Sequence, residues 1–221
     1  SVKKVDNMVA LRHTTYHCKR IRTFISIWFF IKEIAMKLST RDMTLVSLFA
    51  VLSIIGAKVS LPILAIPFTF QFIISLLTGI VLGARRALLA QGLYLLMGLI
   101  GLPVFAKGGG LAYVLEPTFG YLIGMALGAG LVGLAADRLD PKRTGLKPWT
   151  IVPFNFLALA LVYAIGVAYL FVVMNLYVGK DMTFLKTIQV GMIPFLINDS
   201  IYCVLAALLG PRLRRIPSLR S

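Results

Sequence analysis

Long apolar runs, separated by short polar or basic connections, make up most of the chain. Six of them have the character of membrane spans, at approximately 43–60, 69–84, 87–106, 118–136, 150–178 and 187–210. A helix rises about 1.5 Å per residue, so about 20 apolar residues cross roughly 30 Å of hydrocarbon. Lipid-facing backbone must satisfy its own hydrogen bonds, and no run alternates like a barrel strand. The pattern therefore predicts an all-α integral membrane protein with six transmembrane helices.

Two of these runs depart from the usual length of a span. The run at 69–84 is short, so we allow its helix an earlier start within "LPILAIPFT" at 61–69. The run at 150–178 is long and is predicted to tilt in the bilayer. Composition agrees with lipid-facing helices, because a 221-residue chain that is 59% hydrophobic has more apolar side chain than one soluble core can bury.

The basic residues predict an orientation. Lys and Arg number 23, and four of them, Lys58, Lys107, Lys180 and Lys186, fall on one side of the predicted spans. The others fall on the side that holds both termini, so the positive-inside rule predicts that both termini are cytoplasmic. The formal charge of +15 then reflects topology and attraction to membrane lipid, and without a matching motif it does not indicate nucleic-acid binding.

No motif in the chain predicts catalysis. HExxH, GxSxG and the phosphate loop GxxxxGK[ST] are all absent from the sequence, so we expect no enzyme, no catalytic residue, no metal and no cofactor. Any ATP-driven step would need another chain. His13 and His17 fit a basic solvated tail better than a metal pair, and Cys18 and Cys203 have no zinc or disulfide spacing.

Residues 1–35 differ from the remainder of the chain. They are basic, their apolar core is too short to span a membrane, and they lack the cleavage site of a signal peptide. We predict that 1–35 is a dispensable extension, with an interfacial amphipathic helix as the alternative. Residues 36–221 are predicted to form the six-helix membrane domain.

Polar residues inside the predicted spans are few. Such groups cost on the order of 3 kcal/mol in hydrocarbon, so they usually face a cavity or a partner. Asp199 and Tyr202 share one helical face, where Asp199 can accept hydrogen bonds from a ligand. The alternative is an Asp–Asn or Asp–Tyr bond between packed helices. The other polar residues noted are Gln71, Gln91, Tyr94, Asn155, Asn175, Gln189, Asn198 and, in a loop, Glu116.

A glycine-rich loop interrupts the helical pattern between the third and fourth runs. Gly108, Gly109 and Gly110 allow close approach of the main chain to a ligand. The flanking Phe105 and Tyr113 are too apolar for a solvated loop, which favours a loop that packs over something rather than a flexible external one.

Four segments carry a resemblance to a known family: "IPFTFQ" (66–71), "GLIGLPVFAKGGG" (98–110), "EPTFGYLIG" (116–124) and "PFLINDSIYCVLAALL" (194–209). Together they resemble the BioY family, the biotin-binding S-components of energy-coupling factor (ECF) transporters, over roughly Leu45 to Arg215. The resemblance implies a multi-pass protein of the cell membrane whose external loops close over one vitamin molecule. It also implies a T-component and two ATPase subunits as partners.

The resemblance also assigns residues. The family motifs fall on Pro67, Phe68, Thr69 and Gln71, on Gly108 to Gly110, on Pro117, Thr118, Gly120 and Tyr121, and on Asp199. The resemblance implies that Asp199 lies near the fused ring system of the vitamin. The substrate-binding residues predicted from motifs and polar positions together are Gln71, Tyr94, Lys107, Gly108, Gly109, Gly110, Tyr113, Glu116, Asn198, Asp199 and Tyr202.

Three departures from the family pattern affect the assignment of cargo and partner. Tyr202 stands where the family often has lysine, and Glu116 where it often has glycine, so Lys107 becomes the substitute cation. On the first helix, Ser47 and Val51 replace an Ala-xxx-Ala patch. The predicted partner-binding residues are Ser47, Ala50, Ser53 and Ala57. Biotin is the leading cargo; the alternatives are another small heterocyclic vitamin or precursor, and a scaffold protein without cargo.

Overall fold

A computed structural model describes residues 39–63 and 66–216, and for residues 60–63 and 66–68 it describes the backbone alone. The chain divides into two units, Ser1–Met43 and Thr44–Ser221, and the described part of the first is residues 39–43. The helices of the described part are α1 (Thr40–Lys58), α2 (Gln71–Leu82), α3 (Ala84–Leu99), α4 (Phe119–Leu139), α5 (Pro148–Leu176), α6 (Phe184–Gly191) and α7 (Ile193–Arg214). The predicted extension 1–35, with His13, His17 and Cys18, lies outside the described residues.

Four of the described helices, α1, α4, α5 and α7, are long and apolar enough to cross a membrane. The predicted spans at 43–60, 118–136 and 150–178 are therefore confirmed as apolar helices of sufficient length, and the run at 187–210 includes most of a fourth. The second and third runs form α2, of 12 residues, and α3, of 16 residues. Both helices are shorter than the about 20 residues that cross the hydrocarbon. Gly83 alone separates these two helices, and its φ of 82° is a conformation that glycine adopts readily.

The prediction for residues 60–69 is wrong. Hydropathy predicts that the first span extends to residue 60 and allows the second helix to begin within 61–69, but β1 (Ser60–Ile63) and β2 (Ile66–Thr69) form an antiparallel hairpin there. Proline explains the difference, because Pro62 and Pro67 are directly opposed in the hairpin and neither can donate a helical hydrogen bond. Both prolines fit in the hairpin, whereas they would disrupt a helix.

Two other boundaries also need correction. The helix predicted at 87–106 ends at Leu99, and Gly101 follows at a φ of 109°, which stops the helix. The run predicted as a single helix at 187–210 is two helices, because α6 ends at Gly191 and α7 begins at Ile193. Pro194 lies in the first turn of α7, where its missing N–H costs nothing, so a helix boundary forms next to it.

Small residues let α4 pack closely on its neighbours. A Cβ atom added at Gly124 would lie 2.9 Å from Cα of Val162 on α5, and one added at Gly128 would lie 3.3 Å from Cβ of Ala158. Small residues at helix contacts are typical of membrane proteins, where association depends on close packing. Between α5 and α7, the Asn155 side chain donates to the backbone carbonyl of Cys203 at 2.8 Å.

Two arginines bind the carboxyl-terminal ends of other helices. The Arg214 side chain, 1% exposed, donates to the carbonyls of Ile80 at 2.6 Å and Ala136 at 3.2 Å, and to Asp137 Oδ1 at 2.8 Å. Arg143 donates to the last carbonyls of α2. Burial, with Arg214 nearby, lowers the pKa of Arg143 to about 10, which leaves it charged at neutral pH. We call this side of the molecule the arginine end, and the side with residues 100–118 the loop end.

Candidate functional site

At the loop end, the connection between α3 and α4 packs as an aromatic cluster with Phe105 and Tyr113, which we call the roof. The Phe105 ring lies against Gly98, with its centroid 5.4 Å from that of Tyr94 and 4.5 Å from that of Tyr113. The main chain fixes this arrangement, since Gly110 N–H donates to the Gly98 carbonyl at 2.7 Å. This packing supports the interpretation of a covering loop over that of a flexible external one.

The three glycines of the loop have different roles. Gly108 and Gly110 have φ values of 126° and 111°, conformations that other residues rarely adopt. A Cβ atom at Gly109 would clash with the Leu102 carbonyl, so this position needs glycine for space. The glycines thus shape the roof.

Two charged residues predicted for the site pair with each other on the loop surface. Lys107 Nζ lies 3.1 Å from Glu116 Oε2, and the two side chains are 65% and 33% exposed. An exposed pair of this kind contributes on the order of 0–1 kcal/mol. Lys107, which is predicted to replace the missing family lysine, therefore has Glu116 as its counter-ion.

A second group of predicted residues lies on α7. Tyr163 Oη on α5 donates to Asp199 Oδ2 at 2.6 Å, which is the interhelical Asp–Tyr bond that the sequence left open as an alternative. The Asn198 side chain also interacts with the Asp199 carboxylate. One turn along, the Tyr202 ring centroid lies 5.8 Å from that of Phe70. Asp199 and Tyr202 therefore lie one turn apart on α7, and each has an aromatic partner on another segment, Tyr163 for Asp199 and Phe70 for Tyr202.

The start of α2 lies between the two groups. Phe70 packs against Tyr202, whereas the side chain of the next residue, Gln71, lies beside the Tyr94 hydroxyl. Gln71 Nε2 and Tyr94 Oη are buried and have no hydrogen-bond partner in the described part of the chain.

Sequence reasoning missed Tyr163 and Phe70. Tyr163 is 36 residues from Asp199 on another helix, and no spacing rule connects two such positions. Phe70 is part of the segment "IPFTFQ", and its position directly before Gln71 is the signal that could have identified it.

The predicted partner-binding residues of α1 separate onto two faces. Ala50, Ser53 and Ala57 are at most 2% exposed, and Ser53 Oγ accepts a hydrogen bond from Gln91 Nε2 at 3.1 Å. These three residues pack within the chain. Ser47 lies on the exposed face, together with Val51, which is 49% exposed.

An apolar groove of about 450 Å³ lies between α5, α6 and α7. Its walls include Leu159, Tyr163, Val167, Ile188, Met192 and Leu196, and none of the predicted substrate-binding residues lines it. Among the described residues, no group of three His, Cys, Asp or Glu side chains is placed to hold a metal ion.

Comparison with known proteins agrees with this architecture. The structure matches a "crystal structure at 2.1 A of the S-component for biotin from an ECF-type ABC transporter", with a TM-score of 0.68, covering 80% of this chain and 95% of that one. At 22% identity, this likeness shows the fold.

The family model of the BioY family matches residues 32–218, and the chain belongs to this family. The protein named biotin transporter BioY of Thermotoga maritima is 37% identical over 177 residues, which cover 80% of this chain and 97% of the relative. Biotin transporter BioY of Rhizobium etli is 36% identical, over 78% of this chain and 92% of the relative.

Proposed function

We propose that this chain is the substrate-binding subunit of an ECF-type vitamin uptake transporter and that its cargo is biotin. The observation that carries the proposal is the family match over residues 32–218, since it includes both groups of the candidate site. Relatives that carry the name of biotin transporter are aligned over most of their length, and the fold is that of an S-component for biotin.

The predicted substrate-binding residues have complementary roles in this proposal. Asp199 accepts hydrogen bonds from the ring N–H groups of the cargo, and Tyr202 with Phe70 packs against its rings. In the absence of cargo, the Tyr163 hydroxyl satisfies the carboxylate. The loop roof, with Gly108 to Gly110 and Tyr113, closes the site against water.

The chain would cross the cell membrane six times, with the arginine end and both termini in the cytoplasm. The short helices α2 and α3 then complete the set of spans together with their flanking segments. Because the sequence has no nucleotide-binding motif, transport would need a T-component and two ATPase subunits. The exposed face of α1 with Ser47 and Val51 is the surface that we propose for the T-component.

Mass spectrometry of small molecules that copurify with the full chain in detergent tests the proposal. Cells grown with biotin should yield protein that carries biotin at about one molecule per chain. A related S-component for another heterocycle would carry that heterocycle instead. A scaffold without cargo would carry none, and either of these results would contradict the proposal.

A further inference from the structure

Two buried hydrogen-bond donors at the loop end have no acceptor among the described residues. Gln71, 5% exposed, begins α2, and Tyr94, 1% exposed, lies on α3. Neither Gln71 Nε2 nor Tyr94 Oη makes a hydrogen bond within the described part of the chain. Since nearly all buried polar groups in proteins are paired, two adjacent exceptions call for an explanation.

The surroundings of this pair are apolar and tightly packed. A Cβ atom at Gly56 on α1 would lie 3.2 Å from the Gln71 main chain, and Ala57 packs in the same cluster as Tyr94. Phe105 covers Tyr94 from the loop side. On the other side, Gln91 is already paired with Ser53. Ala57 and Phe105 have apolar side chains and offer no side-chain acceptor to the two donors.

A count of hydrogens shows that the pair cannot satisfy itself. The Gln71 amide carries two N–H groups and the Tyr94 hydroxyl one O–H. A small adjustment would let one Gln71 N–H donate to the Tyr94 oxygen. In that case one amide N–H and the hydroxyl O–H would still lack acceptors. If the hydroxyl donated to the Gln71 oxygen instead, both amide N–H groups would lack acceptors.

We propose that Gln71 and Tyr94 form a donor subsite that binds an oxygen acceptor of the cargo, either a carbonyl or a carboxylate. This inference rests on the proposed function and extends it, because it assigns a chemistry to the two residues. Asp199 offers an acceptor for N–H groups, and the Gln71–Tyr94 pair offers donors for an oxygen. The two groups lie on either side of the start of α2, where Phe70 faces Tyr202 and Gln71 faces Tyr94.

Two conservative variants test the subsite by titration of the purified full chain with biotin. Tyr94→Phe removes the hydroxyl and keeps the ring, and Gln71→Glu replaces the amide donors by a carboxylate. We expect at least a tenfold loss of biotin affinity for each. Tyr177→Phe and Gln189→Glu are the matched controls, because both residues are exposed and lie outside the candidate site. They should bind biotin as the unmodified chain does.

Thermal unfolding of the empty protein separates binding from stability. Tyr94→Phe removes an unpaired hydroxyl, so its melting temperature without biotin should be unchanged or higher, while its stabilisation by biotin falls. If Tyr94→Phe binds biotin normally, the donors serve an internal water or the helix packing, and the proposal is wrong. If the unmodified chain itself binds no biotin, the proposed function fails before the subsite is tested.

Two analogues identify the acceptor. Iminobiotin replaces the ureido oxygen by nitrogen, and an analogue with a methyl group in place of the carboxylate removes both carboxylate oxygens. The analogue that lacks the relevant oxygen should bind equally to the unmodified chain and to Tyr94→Phe, whereas the other should keep the full penalty of the variant. If the variant penalises both analogues as much as it penalises biotin, neither oxygen is the acceptor and the proposal is wrong.

Discussion

The Tyr163 hydroxyl donates a hydrogen bond of 2.6 Å to Asp199 Oδ2 and joins α5 to α7. A carboxylate within an apolar helix is costly to bury without such a partner. The bond explains how the chain retains Asp199 without cargo. One turn along α7, Tyr202 packs against Phe70.

Replacement of Asp199 should weaken binding of biotin. A charge-assisted hydrogen bond is worth about 1.5–3 kcal/mol, so Asp199→Asn, which keeps the shape, should cost roughly tenfold or more in affinity. Asp199→Ala should cost more. Calorimetric titration measures both, with Asp181→Asn, an exposed carboxylate in the α5–α6 connection, as the control. Normal binding with a lower melting temperature would make Asp199 a helix-packing residue.

Arg214 should be essential for stability rather than for binding. Its guanidinium satisfies carbonyls at the ends of α2 and α4 and pairs with Asp137, so Arg214→Met leaves buried acceptors unpaired. We expect a loss of about 2–4 kcal/mol. Thermal unfolding in detergent checks this. The exposed Arg212→Met should change stability by no more than about 0.5 kcal/mol, and equal effects of the two variants would refute the role of Arg214.

Deletion of residues 1–35 should leave biotin binding unchanged, because every residue of the candidate site follows Thr69. The titration compares the truncated and full chains, after a check that both insert into membranes. A loss beyond tenfold, about 1.4 kcal/mol, would show that the extension belongs to the site.

The six-span topology can be tested with single cysteines at exposed positions. Lys180→Cys, in the α5–α6 connection, should react with a membrane-impermeant maleimide added to intact cells, whereas Lys142→Cys, at the arginine end, should react only after the membrane is opened. Both variants also carry Cys18→Ser, and Cys203 is buried and should contribute little background. The reverse pattern would invert the proposed orientation.

How much the sequence predicts depends on the range of the interactions involved. Helices α4 and α5 follow from hydropathy, because lipid contact requires continuous apolar sequence. Hydropathy does not predict the hairpin formed by β1 and β2, since its apolar residues resemble those of a span. Pro62 and Pro67 carry the contrary signal. Arg214 was treated as a topology marker, because its carbonyl partners on α2 and α4 are distant in sequence.

The candidate site shows the same limit. The face shared by Asp199 and Tyr202 follows from helical spacing, whereas the bond to Tyr163 depends on how α5 and α7 pack. The small residues of α1 were expected to contact a partner, and the structure places Ala50, Ser53 and Ala57 inside the chain. Hydropathy alone does not distinguish a face buried by the same chain from one buried by another.

Calorimetric titration of the purified full chain with biotin, after removal of any copurified ligand, tests the central claim most directly. The account predicts saturable binding of one biotin per chain with a dissociation constant below about 1 μM, equivalent to about 8 kcal/mol. Thiamin and riboflavin, under the same conditions, should give no binding heat. Absence of saturable binding by the folded protein, or tighter binding of another vitamin than of biotin, would contradict it.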